Sequence, residues 1–199
     1  MILPIVAYGD PILKREAEEI DENYEGLDDL IENMFETMYE ASGVGLAAPQ
    51  VDRSIRLFVI DASPFGEDEE ESEDPDPKAA GLIGFKKVFI NPIIEEESGE
   101  EWGFAEGCLS IPNIREEVMR QPKIKISYYD QNWDFHEEEY EGYAARIIQH
   151  EYDHVEGILF TDHLSPLKRR MLKKKLVNIS KGVTDIQYRM KFPNKKGRG

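Results

Sequence analysis

The chain has 199 residues, a length that fits one domain built round a single sizeable core. Hydrophobic residues make up 40% and charged residues 33%, the net charge is −17, and no apolar run approaches the roughly 20 residues that span a bilayer, so no membrane association is expected. One cysteine excludes an internal disulfide, and residues 1–6 lack the charged start and apolar stretch of a secretory leader, so the expected compartment is the cytoplasm.

The first strong periodicity falls over residues 26–42. Leu27, Leu30, Ile31, Met34, Phe35 and Met38 recur at steps of three and four with acids opposite, which predicts an amphipathic helix. Asp28 and Asp29 suit the positive end of its dipole. The helix is expected to end at Gly43, where Gly43-Val44-Gly45-Leu46-Ala47-Ala48-Pro49-Gln50 begins. Its glycines let the backbone run close to a ligand, and Gln50 offers a neutral amide donor to a developing oxyanion. An ordinary glycine-rich turn into a strand reads the same way.

Strands are predicted over residues 55–60, 88–93 and 123–129. Between the first two, residues 66–80 read as a flexible acidic surface loop, since the run 66–77 holds no apolar anchor and its charges repel. Cys108 follows in Glu106-Gly107-Cys108-Leu109-Ser110. A lone cysteine is usually a small buried hydrophobe, but here the next residue, Leu109, has a backbone N–H available to a site.

A second helix is predicted over residues 143–156, apolar on more than one side and stopped by Gly157. It carries Gln149-His150-Glu151-Tyr152-Asp153-His154. Two histidines four apart on a helix share a face and reach one metal ion, and the glutamate between them stands where a general base for a bound water belongs. With Cys108 as a third ligand beside His150 and His154, one coordination position stays open, the layout of a catalytic site. A third helix is predicted over residues 166–180, with Leu167, Met171, Leu172, Leu176 and Ile179 as its apolar face and six Lys or Arg between 168 and 175. Residues 164–199 carry +11 against −28 for the rest of the chain. Such a basic tail either docks on a polyanion or is attracted to the acidic body. Residues 194–199 are expected to be disordered.

Together, Gly43-x-Gly45-Leu46-Ala47-Ala48-x-Gln50, Glu106-Gly107-Cys108-Leu109-Ser110 and Gln149-His150-Glu151-x-x-His154 closely resemble the three signatures of the peptide deformylases. Their order and spacing match too, and the resemblance spans almost the whole chain. It implies an α+β fold in which mixed, mostly antiparallel sheets surround the metal-binding helix, with one helix nearer the N-terminus and one at the C-terminus. Residues 1–199 then form a single deformylase domain, with a basic C-terminal helix and tail over 164–199 of the kind found in many bacterial members. The acidic segment is longer than in compact members and touches no signature.

The implied activity is hydrolysis of the N-formyl group from the initiator methionine of nascent polypeptides. Cys108, His150 and His154 would hold one divalent metal, with Fe(II) the physiological ion and Zn(II), Ni(II) or Co(II) possible in isolated protein. The metal would draw the pKa of water from about 15.7 towards roughly 7. Glu151 would take the water's proton and pass it to the leaving amine, while the Leu109 N–H and the Gln50 amide hold the oxyanion. A methionine pocket is expected at Val44, Gly45, Ile147 and His150, and the peptide backbone is expected along Gly43–Gly45 and Gly107, with Arg115 on downstream carbonyls. The alternative for Arg115 is a surface ion pair with Glu116 or another acid. His136 and His163 receive no role. Expected partners are N-formylmethionyl peptides and, through the basic helix, the ribosome, with neither a membrane nor sequence-specific nucleic acid. A zinc endopeptidase is the nearest rival, but its third ligand would come from downstream, where only Glu156, Asp162, His163 and Asp185 are available. A metal-storing protein needs neither Glu151 nor Gln50.

Overall fold

The computed structural model describes residues 1–193. The disorder expected for residues 194–199 lies outside that range. The chain runs through β1 (Ile5–Val6), α1 (Leu27–Glu40), β2 (Gly45–Ala47), β3 (Leu57–Asp61), α2 (Ser63–Glu70), β4 (Lys86–Ser98), β5 (Trp102–Cys108) and β6 (Ile111–Arg120). It continues through β7 (Lys123–Tyr129), β8 (Phe135–Glu141), α3 (Gly142–Val155), α4 (Pro166–Ser180) and β9 (Met190–Lys191). The class is mixed α+β. Strands β2-β3-β4-β7-β8 form an antiparallel sheet in that order, β5 and β6 form an antiparallel hairpin, and β1 pairs β9 in parallel.

The five-stranded sheet is covered on both faces, and alternation along its strands assigns the partners. Leu57, Val59, Val88 and Ile90 point towards Leu30, Ile31, Met34 and Met38 of α1. Phe58, Ile60 and Phe89 point the other way, onto Ala144, Ala145 and Ile148 of α3. A third cluster packs Leu172, Leu176 and Ile179 of α4 on Ile111, Ile114 and Val118 of β6.

Helix ends follow their local chemistry. At the end of α3, Gly157 takes φ +72°, and Ile158 N–H reaches back to the Asp153 carbonyl at 2.8 Å. At the end of α1 the left-handed position falls on Ser42 (φ 55°), one residue before the expected terminator Gly43, whose N–H closes on the Met38 carbonyl at 2.9 Å.

Two expectations need correction. Residues 66–70, read as loop, belong to α2, and Pro77–Ala79 forms one 3-10 turn. Anchorage comes from Tyr143 of α3. Phe65 meets the Tyr143 ring edge-on at 5.5 Å, and Tyr143 Oη donates to Asp76 Oδ2 at 2.7 Å. In α4, Leu167 and Met171 are exposed, because the buried stripe runs through 172, 176 and 179, steps that keep one face of a 3.6-residue helix on β6. Within the described residues the basic segment continues past α4. It turns back after Gly182 and lays β9 beside β1, with Ile5 N–H on the Arg189 carbonyl and Ala7 N–H on the Lys191 carbonyl, both at 2.9 Å.

Candidate active site

One cleft, about 950 Å³ in volume, opens between β2 and β5 over the side of α3. Gly43, Val44, Gly45 and Gln50 line one wall, and Gly107, Cys108, Leu109 and Arg115 line the other. Ile147, His150 and Glu151 of α3 form the floor. His154 is buried one turn further along the same helix. The geometry therefore brings every residue singled out in the sequence to one place.

Cys108 Sγ lies 3.3 Å from His154 Nε2, a spacing suited to two donors of one tetrahedral ion with bonds of about 2.0–2.3 Å. A ring nitrogen of His150 completes the group, and the three donor atoms all lie within 4.8 Å of one another. Burial works to raise the Cys108 thiol, yet the two imidazoles outweigh it and draw the pKa down to about 5. The set thus presents a thiolate and two imidazoles, a soft to borderline combination that fits a divalent transition metal.

Glu151 sits beside this group, buried at the floor of the cleft. Burial pushes its carboxyl pKa up to about 7 against the pull of His150 and His154. Its Oε2 has no hydrogen-bond partner within the protein. Oε1 lies against Gly45, where an added Cβ would come within 2.4 Å, so only glycine leaves the carboxylate its room. A buried carboxylate oxygen without a partner, on the residue next to a metal-donor candidate, is a place for a polar reactant to bind.

Gln50 is held in a defined orientation. Its Oε1 accepts the Ala47 N–H at 2.9 Å, which turns the amide nitrogen towards Cys108 Sγ at 3.5 Å and Ser110 Oγ at 3.2 Å. The donor end therefore faces the cleft. Arg115 stands opposite Gly107 in the hairpin and lies across it. Glu116, its candidate surface partner, pairs instead with Lys168 at 3.4 Å.

Behind these residues lies a buried polar network to which sequence reading assigned no role. Glu106, on β5, accepts from His150 Nδ1 at 2.9 Å, from Arg120 at 2.7 and 3.0 Å, and from Arg146 Nη1 at 3.0 Å. Arg120 also reaches Asp153 Oδ2 at 2.8 Å, which His163 Nε2 meets at 2.8 Å. Arg146 binds the carbonyls of Val118 and Trp102 at 3.0 and 2.7 Å. Although burial alone would raise it, the Glu106 carboxyl is held far below the usual range by His150 and Arg120. The network ties α3 to the β5–β6 hairpin, and so fixes the two imidazoles relative to the cysteine. One local signal was available: Arg146 lies one helical turn before His150, on the same face.

Converging metal donors, an enclosed carboxylate and a cleft between two strand edges are what a metal-dependent hydrolase of peptide-like substrates requires. Comparison with known proteins narrows that class. The sequence model of the family described as polypeptide deformylase matches residues 2–170. A peptide deformylase of Christiangramia forsetii is 60% identical over 196 residues, covering 98% of each chain. The crystal structure of a peptide deformylase from Legionella pneumophila superposes with a TM-score of 0.74 at 37% identity, covering 91% of this chain and 96% of that one. For the Thermotoga maritima peptide deformylase the values are 0.69 and 40%, covering 83% and 99%. The chain belongs to the peptide deformylase family.

Proposed function

We propose that this protein hydrolyses the N-formyl group from the initiator methionine of nascent polypeptides, releasing formate and a free amino terminus. The observation that carries the reading is the convergence of Cys108, His150 and His154 beside the enclosed Glu151 carboxylate. These three side chains would hold one divalent ion, which when bound supplies Lewis acidity towards water and the formyl carbonyl. The Cys108 thiolate suits Fe(II), taken here as the physiological ion, and also accepts Zn(II), Ni(II) or Co(II).

Glu151 takes the proton of the attacking water and delivers it to the leaving nitrogen as the C–N bond breaks. The Gln50 amide, already turned towards the cleft, and the Leu109 N–H donate to the oxygen that gains charge. Val44, Gly45, Ile147 and His150 border the space for the methionine side chain. Among the described residues β2 ends its sheet beside β3 and β5 pairs β6 alone, so each offers an edge to an extended peptide. The peptide would run along Gly43–Gly45 and Gly107, with Arg115 on its downstream carbonyls. Because the cleft takes lining from Ala41 to Tyr188, the whole chain is read as one catalytic domain. No helix among the described residues is long and apolar enough to cross a membrane, and the proposed compartment is the cytoplasm.

Formate release from formyl-Met-Ala-Ser tests the reading. Anaerobically purified protein is expected to turn the peptide over, to fall to background after chelation, and to recover when Fe(II) or Ni(II) is restored. Metal-loaded protein that releases no formate would sink it.

The ribosome is the proposed partner of α4. Arg169, Arg170, Lys173, Lys174 and Lys175 are exposed on it, while Lys168 is partly occupied by Glu116. Co-sedimentation with ribosomes is expected at low salt and to weaken steeply as salt rises, with loss on reversing Lys173, Lys174 and Lys175 to Glu. Binding that ignores both changes would remove α4 from the contact.

A further inference from the structure

The segment that returns after α4 lies beyond the residues matched by the family model, yet Asp185, Ile186, Gln187 and Tyr188 line the same cleft as the metal-ligand cluster. It is tied down along its length. Asn113 Nδ2 donates to the Asp185 carbonyl at 2.8 Å, β9 pairs β1, and Lys191 Nζ meets Asp52 Oδ2 at 2.7 Å. At its centre Tyr188 Oη donates to the Leu109 carbonyl at 2.7 Å, a contact across 79 residues of sequence. The tyrosine ring packs with Leu109 against the α1 cluster, so the hydroxyl is placed by apolar contacts on the ring.

The turn that receives this bond joins β5 to β6 and carries Cys108, Leu109 and Ser110. Its Ser110 is held by the Tyr8 N–H on the carbonyl at 2.9 Å and by the Gln50 amide on Oγ at 3.2 Å, while Cys108 Sγ meets the Gln50 amide at 3.5 Å and His154 Nε2 at 3.3 Å. These contacts act on Ser110 and Cys108. Among the hydrogen bonds of the described residues, Tyr188 is the side chain that grips Leu109 itself. The C=O that Tyr188 holds lies one peptide plane on from the N–H given the oxyanion role in the proposed function.

We propose that Tyr188 is a positioning residue for the reaction: its hydroxyl, delivered by the C-terminal strap, fixes the Leu109 main chain so that the N–H points at the developing oxyanion. The inference rests on the deformylase reading and on the role given there to Leu109. An oxyanion donor works by preorganisation, so loosening its peptide lowers kcat more than it weakens ground-state binding. Burial raises the Tyr188 pKa, which keeps the hydroxyl a donor across the working pH range.

The test compares wild type, Tyr188→Phe and Tyr188→Leu on formyl-Met-Ala-Ser, with metal content and melting temperature measured on each preparation. Tyr188→Phe keeps the ring and loses the donor. It is expected to lose about three- to tenfold in kcat, to shift KM by less than twofold, and to keep wild-type metal content and melting temperature. Tyr188→Leu is expected to lose at least as much kcat and some stability. Tyr188→Phe at wild-type kcat, with only Tyr188→Leu impaired, overturns the proposal by showing that the ring alone matters. A Tyr188→Phe that loses metal while keeping wild-type kcat per bound ion overturns it too, since the bond would then serve Cys108. Wild type without formate release defeats the deformylase reading itself, which separates the two failures.

Discussion

Replacing Glu151 by Gln is expected to lower kcat for formyl-Met-Ala-Ser by about 100- to 10,000-fold while leaving bound metal in place. The substitution is isosteric, so the tight fit against Gly45 is kept and the three donor residues are untouched. What goes is the carboxylate able to accept a proton inside the cleft. Burial sets the free carboxyl at about 7 in the absence of metal, and a cation beside it favours the ionised form and moves that value down. A general base works when deprotonated, so wild-type activity is expected to climb with pH, with the midpoint of the rise at or below about pH 7, and then to level off. The residual rate of Glu151→Gln should lack that rise. Steady-state rates on matched, metal-quantified preparations check both statements. A variant that is fully loaded and keeps more than a tenth of wild-type kcat would remove Glu151 from the proton transfer.

Glu106→Ala is expected to damage the protein before chemistry is reached. Glu106 is 4% exposed and compensates two arginines that are themselves buried, Arg120 and Arg146. Removing one partner of a buried charge network typically costs about 3–5 kcal/mol; here Arg120 keeps Asp153 at 2.8 Å, whereas Arg146 is left on the neutral carbonyls of Val118 and Trp102. In a domain of this size that is a fall of roughly 10 °C in melting temperature. His150 also loses the acceptor on Nδ1 that orients its ring, and loss of such a partner usually weakens metal binding by about 10- to 100-fold. Glu106→Gln keeps one acceptor oxygen and should fall between wild type and Glu106→Ala. Thermal melts of the metal-free proteins and competition with a chromogenic chelator give the two readouts. A Glu106→Ala protein that melts within 2 °C of wild type and holds metal equally well would show that the network is not what registers α3 on the hairpin.

Several elements were legible because burial imposes a local period. The apolar stripe of α1 repeats at three and four residues because one helix face meets the sheet. The 123–129 strand is apolar at alternate positions for the same kind of reason. The spacing of His150 and His154 places both on one helix face without any tertiary information. Other elements carry no such signal. Strand β8, Phe135-His136-Glu137-Glu138-Glu139-Tyr140-Glu141, is half-exposed at the sheet edge and is held by cross-strand pairs such as Lys125–Glu137 at 2.8 Å and Lys123–Glu141 at 3.2 Å. Strand β5 takes its order from β6, since strand preference depends on what lies alongside. The start of α2 was hidden because its anchor, Tyr143, is nearly eighty residues away from Phe65.

By itself the sequence determined the helix that bears the two histidines, the three residues proposed as metal donors, and the glycine segments that flank them. Those features depend on residue type and on short spacings, which the helical repeat converts directly into geometry. Tertiary structure decided what surrounds them. It set Glu106 behind His150, locked Arg120 and Arg146 between the hairpin and α3, turned the Gln50 amide towards the cleft, and brought Tyr188 onto Leu109. These are contacts between residues that share no local repeat. A buried polar group takes whatever partner the packed chain brings within hydrogen-bond reach, and only closure of the sheet, the hairpin and the returning C-terminal strand determines which partner that is.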